Sequence, residues 1–264
     1  MVRIALGLEY DGSSFCGWQT QPAACAVQDV LEAALAGIAS APVKVASAGR
    51  TDAGVHATAQ VVHFDTAAIR PESAWVRGVN ALLPPTVAVR WAREVAPAFH
   101  ARFSAHARRY RYVLLNRPQR PGLTNGRVGW FHVPLDMDSM QHAANHLIGE
   151  HDFSAFRSAE CQAKTPVRTL TDLALRRVNN YAIFDLRANA FLHHMVRNIV
   201  GALVYVGSGR QPPEWIAEIL HGRDRKLAAP TFAPDGLYLS GVEYEAQWGI
   251  PSSDEMIIEE RLLD

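Results

Sequence analysis

The sequence predicts an α+β protein made of two ferredoxin-like, split βαβ units. Their mostly antiparallel sheets lie side by side, with helices on one face and a cleft between the halves. Three observations lead there. The first half runs β-α-β-β-α-β, the order of a split βαβ unit. The second half runs β-α-β-β-α-α-β, so the plan recurs in topology without residue-level identity. Finally, 48% of the 264 residues are apolar, enough for a large core, yet no apolar run reaches the ~18 residues of a membrane span.

Residues 2–10 alternate as a strand that the Asp11-Gly12 turn ends. Val27, Val30, Leu31, Ala34, Leu35 and Ile38 recur at helical spacing. Strands follow near 43–47 and over 58–64. Pro71 suits the first turn of a helix, where its missing N–H costs little. That helix runs to about Leu82, Pro84-Pro85 stops it, and 86–95 is a strand. A boundary falls near 97–107, rich in small and polar residues, which divides the chain into domains 1–102 and 103–264.

The second domain opens with a strand at 108–116 and a long exposed loop at 118–129. A helix over 136–148 has Asp136 or Asp138 at its cap. Strands at 168–178 and 181–188 flank Asn179-Asn180, a two-residue hairpin turn. An apolar helix over 191–206 ends at Gly207-Ser208-Gly209. Pro212-Pro213 opens a further helix to about Leu220, and 236–244 closes as a strand.

The chain opens directly on strand-like sequence rather than a charged-then-apolar signal segment. Cys16, Cys25 and Cys161 form no CxxC pair and read as reduced, structural thiols of a cytoplasmic protein. Formal charge sums to zero, but its distribution is uneven. Residues 95–135 contain no Asp or Glu, yet hold Arg102, Arg108, Arg109, Arg111, Arg117, Arg120 and Arg127. Acids gather elsewhere, at Asp254, Glu255, Glu259, Glu260 and Asp264. A local basic cluster, more than net charge, sets the field that a phosphate backbone meets.

The most informative stretch is Ala48-Gly49-Arg50-Thr51-Asp52-Ala53-Gly54-Val55-His56-Ala57. Two glycines bracket one carboxylate between two strands, which makes a tight polar loop suited to chemistry. A charged surface turn with a local Arg–Asp pair explains the spacing equally well. This stretch resembles the catalytic loop of the tRNA pseudouridine synthase A family, Gly-Arg-Thr-Asp-x-Gly-Val-His-Ala. Asp11-Gly12, Phe15, Gly17-Trp18-Gln19 and Gln21 match the family's N-terminal signature. Cys16 stands where an aromatic is frequent. Met195-Val196-Arg197-Asn198, the strand around Tyr110 and Gly236-Leu237-Tyr238-Leu239 match further segments in the expected order.

The resemblance implies conversion of uridine to pseudouridine in the anticodon stem-loop of tRNAs, by a cytoplasmic homodimer. It implies no metal, redox or nucleotide cofactor. Asp52 is then the essential group, as nucleophile or base. Arg197 pairs with it, Tyr110 stacks on the target base, and Leu237 lines the base pocket. From its place beside Asp52, Arg50 fills the vacated space or grips a phosphate. Without the resemblance, Arg197 reads as solvent-facing, Leu237 as core, and Tyr110 and Tyr112 cannot be ranked, since they share a strand face.

Other readings weigh less. A non-catalytic RRM-like RNA-binding module needs sheet-borne aromatics in an RNP-like pattern, which is missing. A glycosidase-like hydrolase needs a second carboxylate, and Asp65 is the nearest in sequence. His142 and His146 lie one helical turn apart but lack the Glu of a zinc-protease motif.

Overall fold

The computed structural model describes residues 1–252, so the acids at 254, 255, 259, 260 and 264 lie outside the described residues. The fold is mixed α+β, with strand pairing mostly antiparallel. It separates into two compact units. One holds Met1–His106 and the described residues from Tyr238 onward; the other holds Ala107–Leu237. The chain thus leaves the first unit at His106 and returns to it at Tyr238.

In the first unit, β1 (Val2–Tyr10) lies between β3 (His56–Thr66) and β4 (Val87–Val95), antiparallel to both. The other edge of β3 is shared. The short β2 (Ala46–Ser47) pairs antiparallel at one end, through Ala46 and His63. At the opposite end, Tyr238 and Leu239 of β10 (Leu237–Tyr244) pair in parallel with His56 and Ala57. The chain between β2 and β3 arches past the stretch of edge left between them.

α1 (Val27–Ala39) forms where the apolar spacing places it, burying Val27, Leu31, Ala34 and Leu35. The Asp29 carboxylate accepts the Ala26 N–H at 3.0 Å, which satisfies one orphan donor of the first turn. The helix expected after Pro71 is irregular, with a π-helical turn at Ala74–Gly78. Its widened turn seats buried Trp75 edge-on against Phe64 at 5.3 Å.

The second unit orders its main strands β5 (Ala105–Asn116), β9 (Tyr181–Ala188), β8 (Val167–Val178) and β7 (Gly149–Asp152). β6 (Gly129–Phe131) lies parallel to β5. Around them run α2 (Met137–Asn145), α3 (Met195–Gly207) and α4 (Trp215–Gly222). Asp136 caps α2, accepting the N–H groups of Asp138 and Ser139 at 3.0 and 3.1 Å. Asn179 takes φ 50°, as a two-residue hairpin turn requires.

Three expectations need correction. The strands β6 and β7 were not expected; three and four residues are too few for a periodic signal. α3 begins at Met195 rather than 191, because His194 sits at φ 63° and breaks the helical run. Phe191 and Leu192 are apolar for packing, with Phe191 edge-on to Tyr110 at 5.0 Å. Lastly, Cys16 and Cys25 are not reduced but form a disulfide across a separation of 9 residues. A backbone bond from Cys16 N–H to Cys25 O, 3.0 Å, draws the two segments together. Only Cys161 is a free thiol.

Two predictions follow from this packing. Thiol titration of the denatured, unreduced protein finds one reactive group. Breaking the 16–25 bond by Cys25→Ser lowers stability to urea by about 2–3 kcal/mol, the chain entropy of so short a loop. The second concerns His63, buried against His100 with ring centroids 4.5 Å apart. Its Nδ1 accepts the Ala101 N–H at 3.1 Å. Burial first, then the nearby His100 and Arg3, hold its pKa down at about 4, with Asp65 opposing. The unfolded chain therefore binds the extra proton between pH 6.5 and about 4. Stability present above pH 6.5 is lost as pH falls through that window, by up to about 1.4 kcal/mol per pH unit per proton. Urea titrations across this range show that slope, and His63→Gln reduces it.

Candidate active site

The loop carrying Asp52 is fixed at its entry, its middle and its exit. At the entry, the last ladder bond runs from Ala48 N–H to Val61 O at 2.8 Å. Beyond it the strand edge is replaced by a side chain. Gln60 Nε2 donates to Gly49 O at 2.7 Å, while Gly49 N–H approaches Gln60 Oε1 at 3.4 Å. In the middle, the Thr51 hydroxyl bonds to Tyr10 OH at 2.8 Å, and Thr51 O accepts the Trp18 N–H at 2.9 Å. Thr51 is buried, whereas Arg50 is exposed and Asp52 half-buried. The loop thus buries Thr51 and exposes Arg50, with Gly49 and Asp52 intermediate between the two.

At the exit, Val55 N–H returns to Asp52 O at 3.1 Å, closing a tight turn with Gly54 at φ 78°. Gly12 packs on this turn so closely that a Cβ there would stand 2.0 Å from Val55 O. The Gly12 N–H approaches Nδ1 of buried His56 at 3.0 Å, and the Asp11 carboxylate lies 3.3 Å from the same nitrogen. Gly17, at φ 99°, brings its backbone against Thr51 and Asp52, and a Cβ would meet Thr51 O at 2.7 Å. The N-terminal signature residues therefore form the collar of the Asp52 loop.

Asp65 is no second acid for this site. It lies nine residues beyond His56 along β3, about 30 Å at strand rise, and its carboxylate pairs with Arg3 at 2.7 Å.

The other expected residues belong to the second unit. Tyr110 and Tyr112 point to one face of β5 and are now distinguishable. Tyr112 is fully buried, and its hydroxyl donates to Ala233 O at 2.9 Å. Tyr110 keeps 9% of its surface and meets Phe191. Arg197 is half-buried on α3, and its Nε donates to Phe232 O at 2.8 Å. Phe232 N–H returns to Arg197 O at 3.3 Å. Residues 229–236 thus form a strap across α3, admitted by Gly201, where a Cβ would meet Pro230 O at 2.4 Å. The strap continues to β5, with Val113 N–H bonding Gly236 O at 2.8 Å, and delivers Leu237 buried at its end. Arg197, Leu237 and the Tyr110 strand are tied together by this one segment.

A family model described as tRNA pseudouridine synthase matches residues 8–104 and 143–245. The chain belongs to the tRNA pseudouridine synthase family. It is 61% identical over 254 residues to tRNA pseudouridine synthase A of Dechloromonas aromatica, covering 96% of this chain and 97% of that protein. The protein of the same name in Methylobacillus flagellatus is 57% identical over 256 residues, 97% and 98% of the two chains. That of Aromatoleum aromaticum is 59% identical over 261 residues, 99% of each.

In or beside the motifs, buried Tyr10, Gln60 and Asn198 hold the backbone in place, roles that neither periodicity nor motif identity announces. Gln60 is fully buried beside Ala59, Val61 and Val62, and a buried amide must find partners. Asn198, also fully buried, does the same for the strap. Its Nδ2 donates to Phe156 O at 2.7 Å, and its Oδ1 accepts from Thr231 at 2.7 Å and Arg225 at 3.0 Å. Burial lowers the pKa of Arg225, so that guanidinium depends on its acceptors. Asn198→Leu is expected to cost about 2–4 kcal/mol, read by urea denaturation, because it strands Arg225 and Phe156 O.

Proposed function

We propose that this chain isomerises uridine to pseudouridine in the anticodon stem-loop of tRNA, with Asp52 as the reacting carboxylate. The carrying observation is the braced loop that holds Asp52 half-buried, with the family's motif on it. The near full-length likeness to proteins named tRNA pseudouridine synthase A supports the substrate and the reaction.

The chemistry is an internal exchange. The bond between C1′ and N1 breaks, one between C1′ and C5 forms, the proton on C5 leaves and N1 gains one. Atoms and electrons balance without an external reagent. Asp52 acts as nucleophile on the sugar or base, or as the base that takes a sugar proton. Arg197 is its counter-charge, a role resting on the Met195–Asn198 match. A partly desolvated carboxylate is driven towards its neutral form, and a guanidinium restores the charge. Tyr110 stacks on the detached uracil and Leu237 closes its other side, so the base turns without escaping. Stacking contributes about 1–3 kcal/mol. The base must first leave its stack, and Arg50, exposed beside Asp52, fills the gap or holds a phosphate.

The arginines of 95–135 line the tRNA surface, since phosphate contacts supply most of the affinity for nucleic acid. We read each unit as ferredoxin-like. In the first, the order β4-β1-β3-β2 supports this; in the second, the run β5-β9-β8 does. The enzyme works as a cytoplasmic homodimer with tRNA across both subunits, an expectation supported by the family resemblance.

One experiment tests the proposal. The protein is incubated with unmodified tRNA transcript and pseudouridine is mapped. Modification is expected in the anticodon stem-loop, and Asp52→Asn is expected to abolish it while tRNA still binds. Full activity in Asp52→Asn overturns the assignment.

A further inference from the structure

The arch that carries Asp52 rests on a buried polar strut. Its base is Gln60, fully buried within β3. Its second member is Tyr10, at the end of β1 and also buried. Gln60 Nε2 donates to Gly49 O at 2.7 Å and approaches Tyr10 OH at 3.4 Å. Tyr10 OH then lies 2.8 Å from Thr51 Oγ1. The strut meets the loop on both sides of Arg50 and immediately before Asp52.

The Gln60 amide has two N–H groups and spends them on Gly49 O and the Tyr10 oxygen. Tyr10 OH and Thr51 Oγ1 then share one buried hydrogen bond in which either oxygen can donate. Burial pushes the Tyr10 phenol up to about 12, so it keeps its proton at any working pH. It offers a fixed contact rather than proton transfer.

Stability alone gives little reason for such a group. Three polar side chains are buried where Ala59, Val61, Val62 and Leu8 supply apolar packing. Each costs about 1–3 kcal/mol if a partner is lost. Fully satisfied, they fix a backbone at defined points, which apolar contacts do not. Those points are the Gly49 peptide and the Thr51 hydroxyl, which flank Arg50 just ahead of Asp52.

We propose that Tyr10 and Gln60 are positioning residues for the isomerisation, acting through Thr51 and Gly49 to hold the Asp52 carboxylate in its reacting geometry. The inference rests on Asp52 being the reacting group. A misplacement of the order of 1 Å costs up to about 100-fold in rate, so the effect belongs to the chemical step and not to tRNA binding.

The test uses the full chain and unmodified tRNA transcript, with single-turnover rate, tRNA Kd and Tm measured together. Tyr10→Phe removes only the hydroxyl, and Thr51→Val replaces the partner hydroxyl by a methyl. Each is expected to slow the chemical step about 10- to 100-fold, with Kd within about twofold. Thr51→Ser, which keeps the hydroxyl, is expected to restore the rate. The double variant Tyr10→Phe/Thr51→Val is expected to be no slower than the worse single one, since both remove the same bond. The proposal is overturned if folded Tyr10→Phe and Thr51→Val keep the full rate while Asp52→Asn is inactive. It is also overturned if Thr51→Ser is as slow as Thr51→Val, or if rate and Kd worsen together in step with Tm. An active Asp52→Asn is a separate result: it removes the reading beneath the proposal, and the proposal with it. Should Tyr10→Phe not fold, the Thr51→Val and Thr51→Ser pair decides alone.

Discussion

The first unit depends on one constraint: β3 is buried along most of its length and yet carries His56, Gln60 and His63. A polar group without a partner in such a place costs more than any single packing contact returns. Each of the three finds its partner in the backbone of a different loop. His56 meets the Gly12 N–H, Gln60 engages both peptide groups of Gly49, and His63 accepts from Ala101. The strand therefore fixes the N-terminal turn, the Asp52 arch and the segment after β4. Loops carry the chemistry, and the rigid strand decides where they stand.

The second unit solves the same problem with a helix. Asn198 on α3 is fully buried and holds Phe156, Thr231 and Arg225, while neighbouring Arg197 exchanges bonds with Phe232. Because Gly201 has no Cβ, the strap lies directly on the helix. In both units the residue beside the candidate catalytic group does the anchoring, Thr51 next to Asp52 and Asn198 next to Arg197. The motifs thus mix candidate reacting groups with groups that hold, which is why substitution within them is a poor guide to role unless rate and binding are separated.

Much of the local structure was legible from the chain. The apolar spacing of α1, the Asp136 cap and the Asn179-Asn180 turn act within a few residues, so the sequence carries them openly. The Asp52 loop was legible as a motif because its glycines and charges are unusual together. Less legible were features set by distant partners. A three-residue strand such as β6 exists because β5 lies alongside it, and no period announces it. The Cys16–Cys25 bond came from a backbone contact that folds the loop on itself. The start of α3 was misread because Phe191 and Leu192 are apolar for reasons of packing.

By itself, then, the sequence determined the longer strands and helices, and where the candidate catalytic carboxylate sits along the chain. Those properties depend on side-chain periodicity, turn chemistry and motif identity, all of which are local. Only the tertiary structure decided that β10 rejoins β3 after more than half the chain has passed, and that Tyr112 is core while Tyr110 keeps an open edge. The same holds for Gln60, which reads as an ordinary strand residue until the Gly49 backbone is brought against it. Such outcomes turn on which buried polar groups meet which distant backbone, and that is fixed only when the chain closes on itself.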